Sequence, residues 1–384
     1  VEAHRDRRAE PGRMSAPIYL DYQATTSIAP EARAAMLPWL QDGFGNPHSP
    51  HRMGREAAAA VEVARGQIQT ALGVGEGRVI FTGGATEAIN LALKGVAFRT
   101  TRRRIVTVAT EHAAVLDTVE WLGRQGFKVD ILPVGTDGLI DLDRAAKAID
   151  RRTAIVAVMA VNNEIGVIQP LTDIARMARD AGALFLCDAV QGFGRVDLPD
   201  ADMIALSAHK VHGPKGIGAL WLRDGIELEP LLHGGGQEAG IRSGTLSPAL
   251  CAGFGTAAAL AADRRERDHG HVEMLWRRAI GRLEGWTING AIDQRYHGNF
   301  NIRAEGIDAA RLISDVRGVA FSAGSACASG SGRPSHVLSA IGLDAAAARS
   351  SIRLGFGRYT TGEEIDRAFD LILEAASRQG LRAA

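Results

Sequence analysis

The chain has 384 residues, 46% hydrophobic and 23% charged, which suffices for two or three packed domains of about 150 residues and excludes disorder over most of its length. Its 44 basic and 44 acidic residues cancel, so there is no electrostatic case for nucleic acid or an anionic membrane as partner. Three widely spaced cysteines, Cys187, Cys251 and Cys327, fit neither a disulfide framework nor a zinc ligand set, and point to a reducing, cytoplasmic setting.

Residues 1–13 are charged and lack the apolar stretch of a secretory signal. They read as a disordered extension, with Met14 a candidate initiator, and residues 14–29 are expected to pack with a small C-terminal domain. Residues 54–72 place Ala57, Ala58, Val61, Ala64, Ile68 and Leu72 at helical spacing, which predicts a long amphipathic helix. From 78 to 222, β-branched apolar runs alternate with helical periods. Strands are expected at 79–82, 105–109, 129–132, 154–160, 184–187, 203–207 and 218–222, several of them apolar throughout, as strands buried on both faces are. Helices at 113–125, 142–149 and 171–181 fall between them, and the alternation predicts an α/β domain on a mainly parallel sheet. Beyond 222 the texture changes to a glycine cluster at 234–236, an Ala-rich helix at 249–262 and a charged stretch at 263–268. A boundary there gives a large domain over 30–265 and a smaller α+β domain over 266–384, closed by a helix at 363–378. The longest apolar run, 154–161, is far short of the ~20 residues that cross a bilayer.

Ligands of open α/β sheets bind outside the carboxyl ends of the strands, and reactive residues cluster where these strands end. The first runs into Gly83-Gly84-Ala85-Thr86 at a helix start, where free N–H groups and a hydroxyl suit a phosphate, although such a turn is more often only a cap. The second runs into Thr110-Glu111-His112, the fourth into Asn162-Asn163-Glu164. The fifth ends at Asp188, with Gln191 three residues on. A carboxylate at the end of an apolar strand needs a donor, either a protonated pyridine nitrogen or its own loop. The sixth runs into Ala208-His209-Lys210. The chain has five lysines: Lys94, Lys128, Lys147, Lys210 and Lys215. Lys210 alone follows a strand in near-apolar surroundings, where desolvation lowers an amine's pKa and favours Schiff-base chemistry. The other four read as solvated or structural. A phosphate cradle, an acid for a ring nitrogen and an amine for an aldehyde are together what pyridoxal phosphate requires, with His112 to stack on the ring and move protons. The pairs His209/His212 and His269/His271 lack a third ligand at sensible spacing, so no metal site is expected.

From 322 to 332 every residue except Cys327 is Ala, Gly or Ser. Such a run is predicted to be a flexible loop that exposes a lone thiol, whereas Cys187 at a buried strand end and Cys251 in an apolar helix read as inert core.

Taken in order, Gly84-Ala85-Thr86-Glu87, Thr110-Glu111-His112, Val161-Asn162-Asn163-Glu164-Ile165-Gly166, Asp188-Ala189-Val190-Gln191, Ser207-Ala208-His209-Lys210, Gly213-Pro214-Lys215-Gly216, His233-Gly234-Gly235-Gly236-Gln237-Glu238, Arg242-Ser243-Gly244-Thr245 and Gly324-Ser325-Ala326-Cys327 form a constellation. In these segments the sequence resembles the cysteine desulfurases, the sulfur-mobilising branch of the class V aminotransferase-like pyridoxal 5′-phosphate enzymes. The resemblance implies fold type I, an aspartate aminotransferase-like large domain with a smaller one. It implies that Lys210 tethers the cofactor aldehyde and that Asp188 pairs with the pyridine nitrogen. Ala85, Thr86, Ser207 and His209 would hold the phosphate, and Thr245 would reach the phosphate of the neighbouring subunit in a homodimer. Gln191 and Asn163 would orient the phenolic oxygen and the substrate, Arg353 would grip the substrate carboxylate, and His112 would shuttle protons. Cys327 would take sulfur from L-cysteine as a persulfide, leave L-alanine, and hand the sulfur to an acceptor or scaffold protein through a transient iron–sulfur contact. The long small-residue form of the Cys327 segment favours the branch that serves iron–sulfur scaffolds. A selenocysteine lyase or another class V transaminase or lyase remains the alternative, although a transaminase has no use for Cys327. Gln23 and Ala113 depart from the family pattern.

Overall fold

The computed structural model describes residues 16–324 and 335–380. The predicted extension 1–13, Met14, and most of the loop at 322–332, Cys327 included, lie outside the described residues.

After β1 (Ile18–Tyr19) come α1 (Pro30–Leu40) and α2 (Arg52–Leu72). In α2, Ala57, Val61, Ala64, Ile68 and Leu72 form the buried stripe, His51 Nδ1 accepts the Gly54 N–H at the start, and left-handed Gly73 ends the helix. All seven predicted strands then form: β2 (Gly77–Thr82), β3 (Arg104–Val108), β4 (Lys128–Leu132), β5 (Thr153–Met159), β6 (Leu184–Asp188), β7 (Met203–Ser207) and β8 (Gly218–Arg223). Among them lie α3 (Ala85–Ala97), α4 (Ala113–Arg124), α5 (Leu142–Ala148) and α6 (Leu171–Ala181). They make one sheet in the order β2-β8-β7-β6-β5-β3-β4. All neighbours are parallel except β8, which runs antiparallel to β2 and β7. Only residues 208–217 join β7 to β8, too few for the dozen or more that a parallel crossover needs.

Strands β3, β5 and β7 are buried end to end because helices cover both faces of the sheet. One face packs Ile80, Ile155, Leu186 and Leu220 against Ile89 and Leu93 of α3 and Val115 and Val119 of α4. The other packs Phe81, Val106, Val156 and Phe185 against Ile68 and Ile174. At roughly 1.5–3 kcal/mol for each large apolar side chain buried, these two layers are the main drive to fold.

The charged stretch at 263–268 is not a loop. Helices α7 (Pro248–Asp263) and α8 (Arg265–Ile280) meet at Arg264, and the charges lie in ion pairs Arg264–Glu31, Arg265–Asp197 and Arg358–Asp268. Val272, Leu275 and Trp276 of α8 join a second hydrophobic core with Phe300, Leu354 and Phe369. That core lies under an antiparallel sheet of β9 (Thr287–Ile288), β10 (Asn299–Arg303), β12 (Ser322–Ala323) and β13 (Ser351–Gly355), in the order β12-β13-β10-β9. Of the segment 14–29, the described residues 16–29 are shared between the two units. β1 pairs with β11 (Val319–Ala320) and Leu20 enters the second core, whereas Thr26 and Ala29 donate their N–H groups to the carbonyls of His209 and His212 beside the large sheet.

Candidate active site

A cavity of about 500 Å³ opens at the carboxyl edge of the large sheet, where Thr82, Met159, Asp188 and Ser207 end their strands. The strand order reverses here, because β4 and β5 lie on opposite sides of β3, and such a switch point leaves a crevice between diverging loops. Of the residues singled out from the sequence, Ala85, Thr86, His112, Asn163, Asp188, Gln191, Ser207, His209, Lys210 and Arg353 all line it. Thr245 does not: it is exposed outside the cavity. Cys327 is outside the described residues.

One end of the cavity is the turn 83–84 opening α3. Gly83 N–H donates to Glu87 Oε2 at 2.7 Å, and Glu87 is paired with Arg242 at 2.7 Å, so this first-turn acid is neutralised. Gly218 of β8 passes beneath: a Cβ there would lie 2.8 Å from Gly84 Cα and 2.5 Å from the Leu206 carbonyl oxygen, so only glycine permits the approach. The hydroxyl residues Thr86 and Ser207 and the ring of His209 complete this end. His209 Nδ1 lies 3.2 Å from Thr25 Oγ1. Burial, then the charges of Lys210 and Lys215, lower its pKa to about 4.

Asp188 is 6% exposed, and its Oδ1 accepts the Val190 N–H at 2.9 Å. Burial raises its pKa, while that N–H and the charges of His112 and Lys210 oppose the rise. Behind it, Glu111 is buried and accepts the Met159 N–H at 2.7 Å. Met159 and Asp188 are register partners on β5 and β6. Burial and then the Asp188 charge push the Glu111 carboxyl well above the usual carboxylate range. His112 caps α4, its Nδ1 accepting the Ala114 N–H at 3.0 Å. Burial lowers its pKa first, which leaves a neutral ring with its proton on Nε2.

Lys210 Nζ donates to the carbonyl oxygens of Gln23 at 2.5 Å and Ala24 at 2.8 Å. The Gln23 carbonyl also accepts from Gln191 Nε2 at 2.9 Å. The side chain of Gln23, the residue that departs from the family pattern, is buried and donates to the Gly298 carbonyl at 2.7 Å. Arg353, 1% exposed, donates from Nη1 to the Asn163 carbonyl at 3.0 Å and from Nη2 to Asp21 Oδ1 at 2.7 Å. Three features escaped the sequence reading: the Gln23 carbonyl, the pairing of Glu111 with Asp188, and Lys215. Lys215, expected to be solvated or structural, is exposed and also lines the cavity. Its only signal was a place five residues beyond Lys210.

The donor set fits pyridoxal 5′-phosphate. A helix start with hydroxyls and a neutral imidazole suits the phosphate, and an amine is available for the aldehyde. The buried Asp188 carboxylate, whose charged form burial disfavours, is suited to a protonated ring nitrogen. Cys187 and Cys251 take no part: burial raises the first thiol well above its usual range and the second to about 12, which suppresses the reactive thiolate.

The family model "Aminotransferase class-V" matches residues 18–368. A cysteine desulfurase IscS from Rickettsia bellii is 46% identical over 369 residues, covering 93% of this chain and 90% of that protein. A solved NifS-like protein superposes with a TM-score of 0.88 at 34% identity, covering 94% of this chain and all of that one. A solved SspA in complex with cysteine superposes with a TM-score of 0.80 at 36% identity, covering 89% and 99%.

Proposed function

The chain belongs to the class-V aminotransferase family, and within it to the pyridoxal 5′-phosphate-dependent cysteine desulfurases, and from that premise we propose how its residues divide the work. The observation that carries the proposal is the convergence of Lys210, Asp188, His112 and Arg353 on one cavity from four separate segments. Bound there, pyridoxal 5′-phosphate supplies an aldehyde carbon for an amino group and a ring that accepts the electrons left at Cα. Ala85, Thr86, Ser207 and His209 hold the phosphate, and Thr245 of the partner subunit completes that shell in a homodimer. The exposure of Thr245 outside its own cavity supports this role. Asp188 keeps the ring nitrogen protonated, and Gln191 and Asn163 orient the phenolic oxygen and the substrate. Arg353 binds the α-carboxylate of L-cysteine through its planar fork. Lys210 Nζ would tether the aldehyde and would serve as the base for the substrate Cα proton.

Cys327, as thiolate, attacks the substrate sulfur. A bond forms between Cys327 Sγ and that sulfur while the substrate Cβ–S bond breaks. The electron pair goes to the substrate Cβ, which takes a proton, and Lys210 would return a proton to Cα before the product leaves as L-alanine. The persulfide on Cys327 then passes to an acceptor protein, and the long small-residue run around it supports an iron–sulfur scaffold in that role. His112, with Nε2–H at the cavity, carries the protons. We divide the chain into a large domain over 30–265 and a small domain over 266–384, and we take the enzyme to act in the cytoplasm, where unpaired cysteines stay reduced.

Incubation with L-cysteine is expected to release alanine in step with a persulfide that maps to Cys327. Cys327→Ser should retain the cofactor and lose sulfur transfer. Full turnover in that variant would refute the assignment.

A further inference from the structure

Arg353 does not stand alone in the small sheet. Asp21, in the turn that follows β1, lies 332 residues away in sequence, and its two carboxylate oxygens are divided between two partners. Oδ1 accepts from Arg353 Nη2 at 2.7 Å, and Oδ2 accepts from Ser322 Oγ at 2.9 Å. The backbone fixes the same pairing, since Asp21 bridges Gly355 in parallel and Gly355 N–H donates to the Leu20 carbonyl at 2.7 Å. Arg353 lines the cavity and Asp21 does not.

We propose that Asp21 is the positioning residue for substrate recognition: it holds the Arg353 guanidinium in the orientation that accepts the α-carboxylate of L-cysteine. The guanidinium carries five N–H groups, two on each terminal nitrogen. Asp21 takes one on Nη2 and the Asn163 carbonyl takes one on Nη1, which leaves one N–H on each terminal nitrogen for a carboxylate. Two fixed contacts set the plane of the fork. With one removed, a guanidinium on a long side chain turns about its last bonds, and a buried cation loses its counter-ion. Ser322 acts one step further out, holding the Asp21 carboxylate in its own plane. Asp21 therefore governs how tightly the carboxylate of the substrate binds, not the chemistry at its sulfur.

The inference rests on the reading of Arg353 as the carboxylate-binding residue, and the experiment separates the two. The holoenzyme is titrated with L-cysteine and with cysteamine, which lacks the carboxylate, and binding is read from the visible absorption of the cofactor. Asp21→Ala is expected to weaken L-cysteine tenfold or more, about 1.4 kcal/mol, and to leave cysteamine within twofold. Asp21→Asn keeps an acceptor oxygen and should restore L-cysteine to within threefold. The turnover number at saturating L-cysteine should stay within threefold in both variants. An unchanged L-cysteine affinity in Asp21→Ala, an equal loss for cysteamine, or no rescue by Asp21→Asn would overturn the proposal. Arg353→Lys tests the premise: if it leaves the preference for L-cysteine over cysteamine intact, the reading of Arg353 fails, whatever Asp21 does. Ser322→Ala leaves the ion pair in place and carries the test if Asp21→Ala does not fold. A threefold loss confined to L-cysteine supports the proposal, and parity between the two ligands overturns it.

Discussion

Strand β5 of the large sheet buries seven consecutive residues, Thr153–Met159, all apolar but the first. Strands β10 and β13 of the small sheet instead bury Asn299, Asn301, Ser351 and Arg353 between Phe300, Ile302, Ile352 and Leu354. Several of the polar side chains there bond to one another or to neighbouring carbonyls. Asn289 Nδ2 donates to Asn301 Oδ1 at 2.7 Å and to Ser351 Oγ at 3.1 Å, and Asn301 Nδ2 reaches across to the Glu164 carbonyl at 3.0 Å. In the large sheet, structure and chemistry are separated, with apolar interiors and the site's polar side chains at or past the strand ends. In the small sheet they are the same residues, so Arg353 belongs to the hydrogen-bonded interior that also holds the two units together.

The sharpest way to test that contrast is Lys210→Ala, at a strand end of the large sheet. Alanine release should fall by about 10²–10⁴-fold, the range for loss of a general base, while the urea midpoint of the cofactor-free protein barely moves. A large loss of stability would erase the distinction. Asn301→Ala, inside the small sheet, should do the opposite. It strands the Asn289 amide and the Glu164 carbonyl in a site that is 0% exposed, at a cost of about 2 kcal/mol by urea unfolding. Binding of L-cysteine should weaken along with stability, because Glu164 adjoins the Asn163 carbonyl that holds Arg353.

A smaller effect tests the seam between the units. His212 is buried, its Nδ1 bonded to the Ser27 carbonyl at 3.0 Å, and burial, then the charge of Arg358, holds its pKa at about 3. The unfolded chain, with an ordinary histidine near 6.5, takes up the proton first as pH falls. The contribution to stability is therefore complete above about pH 6.5 and is lost progressively towards pH 3, roughly 2 kcal/mol by pH 5. Glu111, Asp188 and Glu164 carry raised pKa values and oppose this trend, so the comparison must be with a variant. His212→Asn should flatten the pH dependence of the unfolding free energy between pH 6.5 and 5. Parallel curves would show that the seam is not held by a neutral imidazole.

Much of the site was legible because its parts are local. Asp188 and Lys210 each close a short run of apolar residues, and a polar residue at the end of a buried strand has few reasons to be there. The Ala85-Thr86 turn could be read from the glycines that precede it. Arg353 was legible only through family resemblance, since its strand alternates polar and apolar residues and nothing adjacent points to a carboxylate. Lys215 is solvated, as its Gly-Pro-Lys-Gly turn suggests, but its place at the cavity depends on the fold and not on that turn. That the charged stretch at 263–268 closes one helix and opens the next was not legible, because its ion-pair partners Glu31, Asp197 and Arg358 lie far off in sequence.

The amino-acid sequence by itself determined the alternation of strand and helix, the mainly parallel sheet, and which residues stand at the strand ends. Each of these follows from side-chain periodicity over a dozen residues or fewer. Only the tertiary structure decided that Glu111 lies buried behind Asp188, that the carbonyls of Gln23 and Ala24 receive the Lys210 amine, and that Asp21 holds Arg353. Those contacts join segments tens to hundreds of residues apart. No local pattern encodes them, because the distance between two such segments is set by how the two cores pack and not by the residues on either side.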